Sequence, residues 1–297
     1  MDVSTTDPII LTGNTLRMKL VDSFIATICE VNELLQKELD LSPANQLVTN
    51  IIRRFTYQLR SRYLPEEIQA VLSSEYVRMN QRQLQDKLSE AEFLAELGDS
   101  RRICESGDFV LETFTRLPNW NIYMALVSKE LSTLRRFIRE DSLAEKSAIV
   151  FVGSGPMPLS PIILHLFGDV EVICLEMDTA AYDASSSLLE HLGLGTKVSV
   201  IMKNGSDFDY SAYSRIFVAS LVRNKQAVLE QISRTSPNPL VAIRTAEGMR
   251  QIMYEAVDES QLNKQGWRIL GRTRPDDNLV INSTLFLDRV NNFTIPE

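Results

Sequence analysis

At 297 residues, with 44% hydrophobic and 24% charged side chains, the chain has the composition of a globular protein and exceeds one typical domain. A formal net charge of −8, a pI near 5.1 and the absence of any Lys/Arg-rich stretch argue against a phosphate-binding surface, so no nucleic-acid partner is expected. No stretch is apolar for the length of a membrane span, and the first residues carry no basic and apolar leader, so the expectation is a cytoplasmic protein without a membrane partner.

Residues 15 to 140 read as successive helices. Val21, Phe24, Ile25, Ile28, Val31, Leu35 and Leu39 follow the three-and-four spacing of a core-facing stripe, with Asp22, Glu30, Lys37 and Glu38 elsewhere on the wheel. Leu41-Ser42-Pro43 is expected to end this helix and cap the next, whose stripe includes Leu47, Ile51, Ile52 and Phe55. Pro65 opens a third helix from Glu66 through Leu72, and the polar segment Arg78 to Lys87 reads as a solvated helix face or connector. Two more helical stretches follow, Ser100 to Thr115 and Asn119 to Arg139, separated at Leu117-Pro118. These apolar helices could supply a homodimer face.

Composition changes near Glu140-Asp141-Ser142, which divides the chain into a helical N-terminal domain, residues 1–140, and an α/β domain, residues 141–297. Strands are expected at 148–153, 171–176, 197–202, 214–220 and 239–244, with helices near 158–167, 179–192, 225–235 and 248–258. This alternation calls for a parallel sheet with right-handed crossovers. Gly266 to Gly271 and Ile281 to Val290 read as a closing hairpin. The expected fold class is therefore α/β, a Rossmann-like sheet of the S-adenosylmethionine-dependent methyltransferase type preceded by an all-helical domain.

In such sheets, ligands bind outside the carboxyl ends of the strands. The candidates there are Gly153 to Met157, Glu176 to Asp178, Lys203 to Ser206, Ser220 to Asn224 and Arg244 to Met249. The first strand breaks into Gly153-Ser154-Gly155-Pro156; the glycines either serve a tight turn or let a ligand approach bare backbone. Glu176 lies about 20 residues further on, where a carboxylate accepts hydrogen bonds from a ribose diol. Pro158 stands at the third glycine position, which favours a smaller adenosyl ligand over a dinucleotide. Cys29, Cys104 and Cys174 have no disulfide or zinc spacing, so no metal site is expected. His165 and His191 fall in helical patterns and read as packed or solvated.

Phe151-Val152-Gly153-Ser154-Gly155-Pro156-Met157-Pro158-Leu159 resembles the FVGSGPLPL signature of the nicotianamine synthases. Phe217 to Val222 resembles their FLAALV, Arg244 to Gly248 their RSAHG, and Glu176-Met177-Asp178 falls where they have Asp-Ile-Asp. More weakly, Ile103-Cys104 to Glu112 parallels a segment with LC and LLE, and Leu117 to Tyr123 parallels FPYYSNY. The short chain and divergent N-terminal half are more similar to the bacterial branch that makes opine metallophores of the staphylopine and pseudopaline type.

This resemblance implies an aminobutyrate transferase. The 3-amino-3-carboxypropyl group of S-adenosylmethionine would pass to the amine of histidine, releasing methylthioadenosine, and the product rather than the protein would bind metal. A nicotianamine synthase that consumes several S-adenosylmethionine molecules, or a small-molecule methyltransferase, is the alternative. Gly153, Ser154, Gly155 and Pro156 are assigned to the adenosyl-methionine moiety, Glu176 to the ribose, Asn204 to the adenine side, and Met157, Met177, Gly205 and Ser220 also to the cofactor. Leu221, Arg244 and Glu247 are assigned to the substrate. Arg244 could clamp a ligand carboxylate or form a salt bridge at the sheet's end. Glu247 stands where plant sequences carry His, and Arg223 where they carry Gly; an acidic Glu247 would favour a cationic acceptor. The acceptor amine must lose a proton before attack, and Asp108, Glu112, Tyr123 and Glu130 are the candidate bases. Asp108 falls near a family glutamate and Tyr123 on a family tyrosine, so these rank first. Glu112 and Glu130 suit a solvated face equally well.

Overall fold

The computed structural model describes residues 8–105, 115, 119–138, 148–275 and 280–290. Its centre is a seven-stranded sheet in the order β3-β2-β1-β4-β5-β7-β6. The strands are β1 (Ile149–Val152), β2 (Val172–Glu176), β3 (Val198–Met202), β4 (Arg215–Val218), β5 (Leu240–Thr245), β6 (Trp267–Thr273) and β7 (Ser283–Arg289). β1 to β5 pair in parallel, while β7 enters antiparallel between β5 and β6. The first five fall within two residues of the expected ranges, β4 ending at Val218 rather than at residue 220, because short β-branched runs bounded by turns leave little choice of element.

Alternation along the strands sorts two cores. On one face Ile149, Phe151, Cys174, Phe217, Ala242 and Phe286 pack with α5 (Trp120–Arg135) and α6 (Leu159–Gly168). On the other, Val150, Val152, Ile216, Val218, Val241 and Leu285 pack with Val228, Leu229 and Ile232 of α8 (Lys225–Thr235). Helix α7 (Thr179–His191) follows β2, with Asp178 Oδ1 accepting the Ala181 N–H as its cap. A one-turn α9 (Glu259–Leu262) precedes the hairpin.

The N-terminal helices are α1 (Pro8–Lys37), α2 (Gln46–Leu59), α3 (Pro65–Ser73) and α4 (Glu75–Glu105). Phe24, Ile28, Val31 and Leu35 are buried as the stripe requires, but Leu39 is fully exposed because α1 stops at Lys37. The cap of α2 is Asn45, whose side chain accepts the Leu47 and Val48 N–H groups, rather than the Leu41-Ser42-Pro43 segment. The Arg78 to Lys87 segment is corrected more substantially. It lies inside the continuous α4, where Val77, Leu84 and Leu88 make a buried stripe and Gln85 is buried as well.

The expected helix at 248–258 is a short 3-10 turn, Gly248–Ile252. An α-helix would need the Gln251 carbonyl for its own fourth-following N–H; here that carbonyl accepts the side-chain amides of Gln81 and Gln85, each at 2.7 Å. The chain forms two compact units, one running to Ala91 together with Gly248–Met253, the other holding Glu92–Glu247 and the chain from Tyr254. The division falls inside α4, upstream of residue 140, since Ile103 and α5 share the sheet's core. No helix among the described residues is long and apolar enough to cross a membrane.

Candidate active site

The second unit gathers a constellation at the carboxyl ends of β1, β2 and β5. Gly153 leaves β1 with φ +78°, and a Cβ there would stand 2.5 Å from Val222 Cγ2, so both conformation and packing demand glycine. Gly155 has φ +67°, and its bare Cα faces a carboxylate: a Cβ would lie 3.1 Å from Glu96 Oε2. Glu176, at the end of β2, fastens this loop. Its Oε2 accepts the Gly155 N–H at 2.9 Å, and its Oε1 accepts the N–H groups of Met177 and Asp178 at 2.8 and 3.0 Å.

Glu96 lies one turn after Glu92 on α4, and each is held by a tyrosine. The Tyr123 hydroxyl of α5 donates to Glu96 Oε1 at 2.9 Å. The Tyr254 hydroxyl, just past the 3-10 turn, donates to Glu92 Oε2 at 2.9 Å. Both residues are half-buried, and protein surrounds their carboxyls densely enough that burial dominates their acidity. Burial, reinforced by the Glu92 charge, pushes the Glu96 carboxyl up to about 8; Asp99 and Glu176 add to the shift, and only the Tyr123 bond opposes it. Burial likewise raises Glu92. Both tyrosines are held well above their ordinary range, first by burial and then by the glutamate charges, so they stay protonated donors.

A different buried acid stands behind this group. Glu130 of α5, with no exposure, accepts Arg244 Nε and Nη2 in a fork at 2.9 Å each, and Thr284 Oγ1 donates to it at 2.6 Å. Arg244 Nη2 also donates to Ser160 Oγ, and the guanidinium lies over the Phe151 ring. Burial disfavours the Arg244 cation, but the Glu130 charge and hydrogen bonds outweigh it and hold the guanidinium protonated. Two of its nitrogens are therefore committed to Glu130 and Ser160 rather than to a ligand carboxylate. Glu130 is a buried structural partner, not a solvated residue.

The remaining expected site residues separate by environment. Ser154 and Pro156 are buried in the loop, while Met157 belongs to the core beneath it. Met177 is exposed beside Glu176. Asn204 caps a 3-10 turn by accepting the Ser206 N–H, and Gly205 is glycine for packing, since a Cβ would lie 2.5 Å from Val152 Cγ1. Ser220 Oγ accepts the Asn282 amide at 2.8 Å, and Leu221 is half-buried. Glu247 is also half-buried and accepts Arg272 Nη1 at 3.3 Å, which offsets the acidity expected to draw a cationic acceptor. Asp108 and Glu112 lie outside the described residues. Tyr123 joins the carboxylate group.

Sequence reasoning missed Glu92, Glu96 and Tyr254. The available signal was the pair of acids at i and i+4 between Ala91, Phe93, Leu94, Ala95 and Leu97, where a solvated face would be polar. No cluster of metal-ligating side chains occurs among the described residues.

The profile described as "Nicotianamine synthase protein" matches residues 17–294. Nicotianamine synthase 9 of Hordeum vulgare is 28% identical over 189 residues, covering 60% of this chain and 54% of that protein. Nicotianamine synthase 2 of Oryza sativa subsp. japonica is 27% identical over 189 residues, covering 60% and 57%. The aligned region thus spans about half the length of the first of these relatives. Among solved structures, a glutamate-to-glutamine mutant of MtNAS in complex with S-adenosylmethionine superposes with a TM-score of 0.75 at 22% identity, covering 90% of this chain and 98% of that one. MtNAS in complex with MTA and tNA gives 0.72 at 22% identity, covering 88% and 96%. These likenesses show the fold, and the profile match, running almost from end to end, shows that the chain belongs to the nicotianamine synthase family.

Proposed function

We propose that this protein transfers the 3-amino-3-carboxypropyl group of S-adenosylmethionine to the amine of histidine and releases methylthioadenosine, as a step in making an opine-type metallophore. The observation that carries this reading is the Glu96–Tyr123 pair set against the bare backbone of Gly155. The family supplies the class of donor, and MtNAS itself was captured with S-adenosylmethionine.

The step balances simply. The lone pair of the acceptor nitrogen forms a bond to the γ-carbon, the carbon–sulfur bond breaks, and its electron pair neutralises the sulfonium. The proton on the attacking nitrogen passes to Glu96 Oε2, the oxygen that Tyr123 leaves open. A carboxylate raised to about 8 is a stronger base than an ordinary glutamate, and a nearby cation brings it into its ionised form. Tyr123 stays protonated and fixes the carboxylate's orientation. The Gly153–Pro156 loop and Glu176 would hold the nucleoside end, with Met177, Asn204, Gly205 and Ser220 around it and Leu221, Arg244 and Glu247 toward the acceptor. Sulfonium chemistry offers three carbons, and alignment at one of them is worth about 7–11 kcal/mol when reactants are held in a near-attack geometry.

Incubation with S-adenosylmethionine and either L- or D-histidine tests this reading, with nucleosides and acceptor mass followed by chromatography and mass spectrometry. Methylthioadenosine together with a histidine adduct heavier by one aminobutyrate is the expected result. S-adenosylhomocysteine would make the protein a methyltransferase. Nicotianamine formed without histidine would return it to repeated self-transfer.

A further inference from the structure

Glu92 has no part in the transfer just described, yet it is built like Glu96. It occupies the same face of α4 one turn earlier, and its hydroxyl donor, Tyr254, comes from a different element than Tyr123. Each tyrosine takes one carboxylate oxygen. Among the described residues, Glu96 Oε2 and Glu92 Oε1 receive no hydrogen bond, and both residues are half-buried.

Two open acceptor oxygens, on side chains whose β-carbons stand roughly 5–6 Å apart, make a recognition element with its own spacing. No hydrogen bond joins Arg244 to either glutamate among the described residues; its Nε and Nη2 are held by Glu130 and Ser160. Placing two carboxyls together without a cation is costly, and such an arrangement is relieved when a ligand brings positive charge or N–H donors to both.

We propose that Glu92, positioned by Tyr254, is a specificity-determining residue that receives a second basic nitrogen of the acceptor, so that the site selects molecules carrying two nitrogens about one helical turn apart. This rests on the transfer reading for the role of Glu96, and it adds the acceptor class: an amino acid or diamine whose first nitrogen is alkylated beside Glu96 while the other remains bound at Glu92. An imidazole, a primary amine or a guanidine could serve as the second nitrogen. Aliphatic side chains, which bring neither charge nor an N–H, could not.

Calorimetric titration with methylthioadenosine present tests binding apart from chemistry. Histidine and 2,4-diaminobutyrate should bind wild-type protein at least about tenfold more tightly than alanine, since one charge-assisted hydrogen bond is worth that much. Glu92→Gln should lose this preference while leaving alanine binding within about threefold. Tyr254→Phe should weaken the preference without abolishing it, because the carboxylate stays but loses its hydroxyl anchor. Equal binding of histidine and alanine by the wild type, or a preference that survives in Glu92→Gln, would overturn the proposal even if methylthioadenosine forms. The converse pattern is distinguishable: a two-nitrogen preference abolished by Glu92→Gln, with no methylthioadenosine from any acceptor, supports the role of Glu92 and removes the transfer reading.

Discussion

Two groups of buried acids in the sheet-bearing unit follow opposite rules. Around Glu130, every charge meets its opposite: a bidentate arginine, a threonine hydroxyl and zero exposure. Glu92 and Glu96 lie one turn apart on α4, each hydrogen-bonded among the described residues by one tyrosine hydroxyl, and both carboxyls are raised. The first arrangement is complete without a ligand. In the second, burial disfavours the ionised form, a cost that a proton or an arriving positive group relieves, and that asymmetry marks the first as a strut and the second as the candidate site.

The contrast breaks most visibly at Glu96. Glu96→Gln preserves shape and the Tyr123 hydrogen bond but removes the proton acceptor, so transfer should fall by roughly 10²- to 10⁴-fold, read as methylthioadenosine release. The folded protein should survive, because the substitution removes an acid that burial disfavours. Retention of activity within tenfold would show that Glu96 is not the base.

At Glu130 the effect should appear in stability. Glu130→Ala strips the partner from a buried guanidinium and should cost about 3–5 kcal/mol in denaturant unfolding. A loss below about 1 kcal/mol would mean that Arg244 finds another partner on relaxing, and that the two acid groups are less different than their geometry indicates.

A slower dependence on pH should distinguish the groups. Glu96 binds its proton more tightly in the fold, near 8, than at its ordinary value of 4.5. Its contribution to stability is therefore present in full below the ordinary value and is lost as pH rises through about 8. Glu92, Asp99, Glu176, Tyr123 and the Gly155 backbone surround it, and the acids reinforce the trend. Unfolding curves between about pH 5 and pH 9 should show wild type losing stability relative to Glu96→Gln. Parallel curves would mean that Glu96 titrates as an ordinary surface acid.

The strut and the site were unequally legible in the chain. The strands, the glycine loop and Glu176 follow from local pattern, since a β-branched run, a turn and an acid at fixed spacing each leave a mark on adjacent residues. Arg244 was visible as an arginine at a strand end, but its partner Glu130 lies 114 positions away, a pairing that only the packed fold creates. Glu92 and Tyr254 meet across 162 positions for the same reason. The polar character of Arg78 to Lys87 concealed a buried stripe because Gln81 and Gln85 are matched by a backbone carbonyl from a distant turn. Hydrophobic periodicity does not record polar groups that are buried with their partners.

The smallest effect belongs to Glu247, the acid first expected to attract a cationic acceptor. Unlike Glu92, it already has a cation: Arg272 donates to it at 3.3 Å and also reaches Glu259. A half-exposed pair of this kind contributes between about 0 and 1 kcal/mol, so its charge is largely answered before any ligand binds. Glu247→Gln should therefore change acceptor affinity less than about threefold, against the tenfold or greater loss expected for histidine in Glu92→Gln. Titrating both variants with histidine under the same conditions compares an acid with a resident cation and an acid without one. If Glu247→Gln proves the more damaging, acceptor selection depends on the Arg272 pair, and the absence of a resident cation is not what marks an acid as functional here.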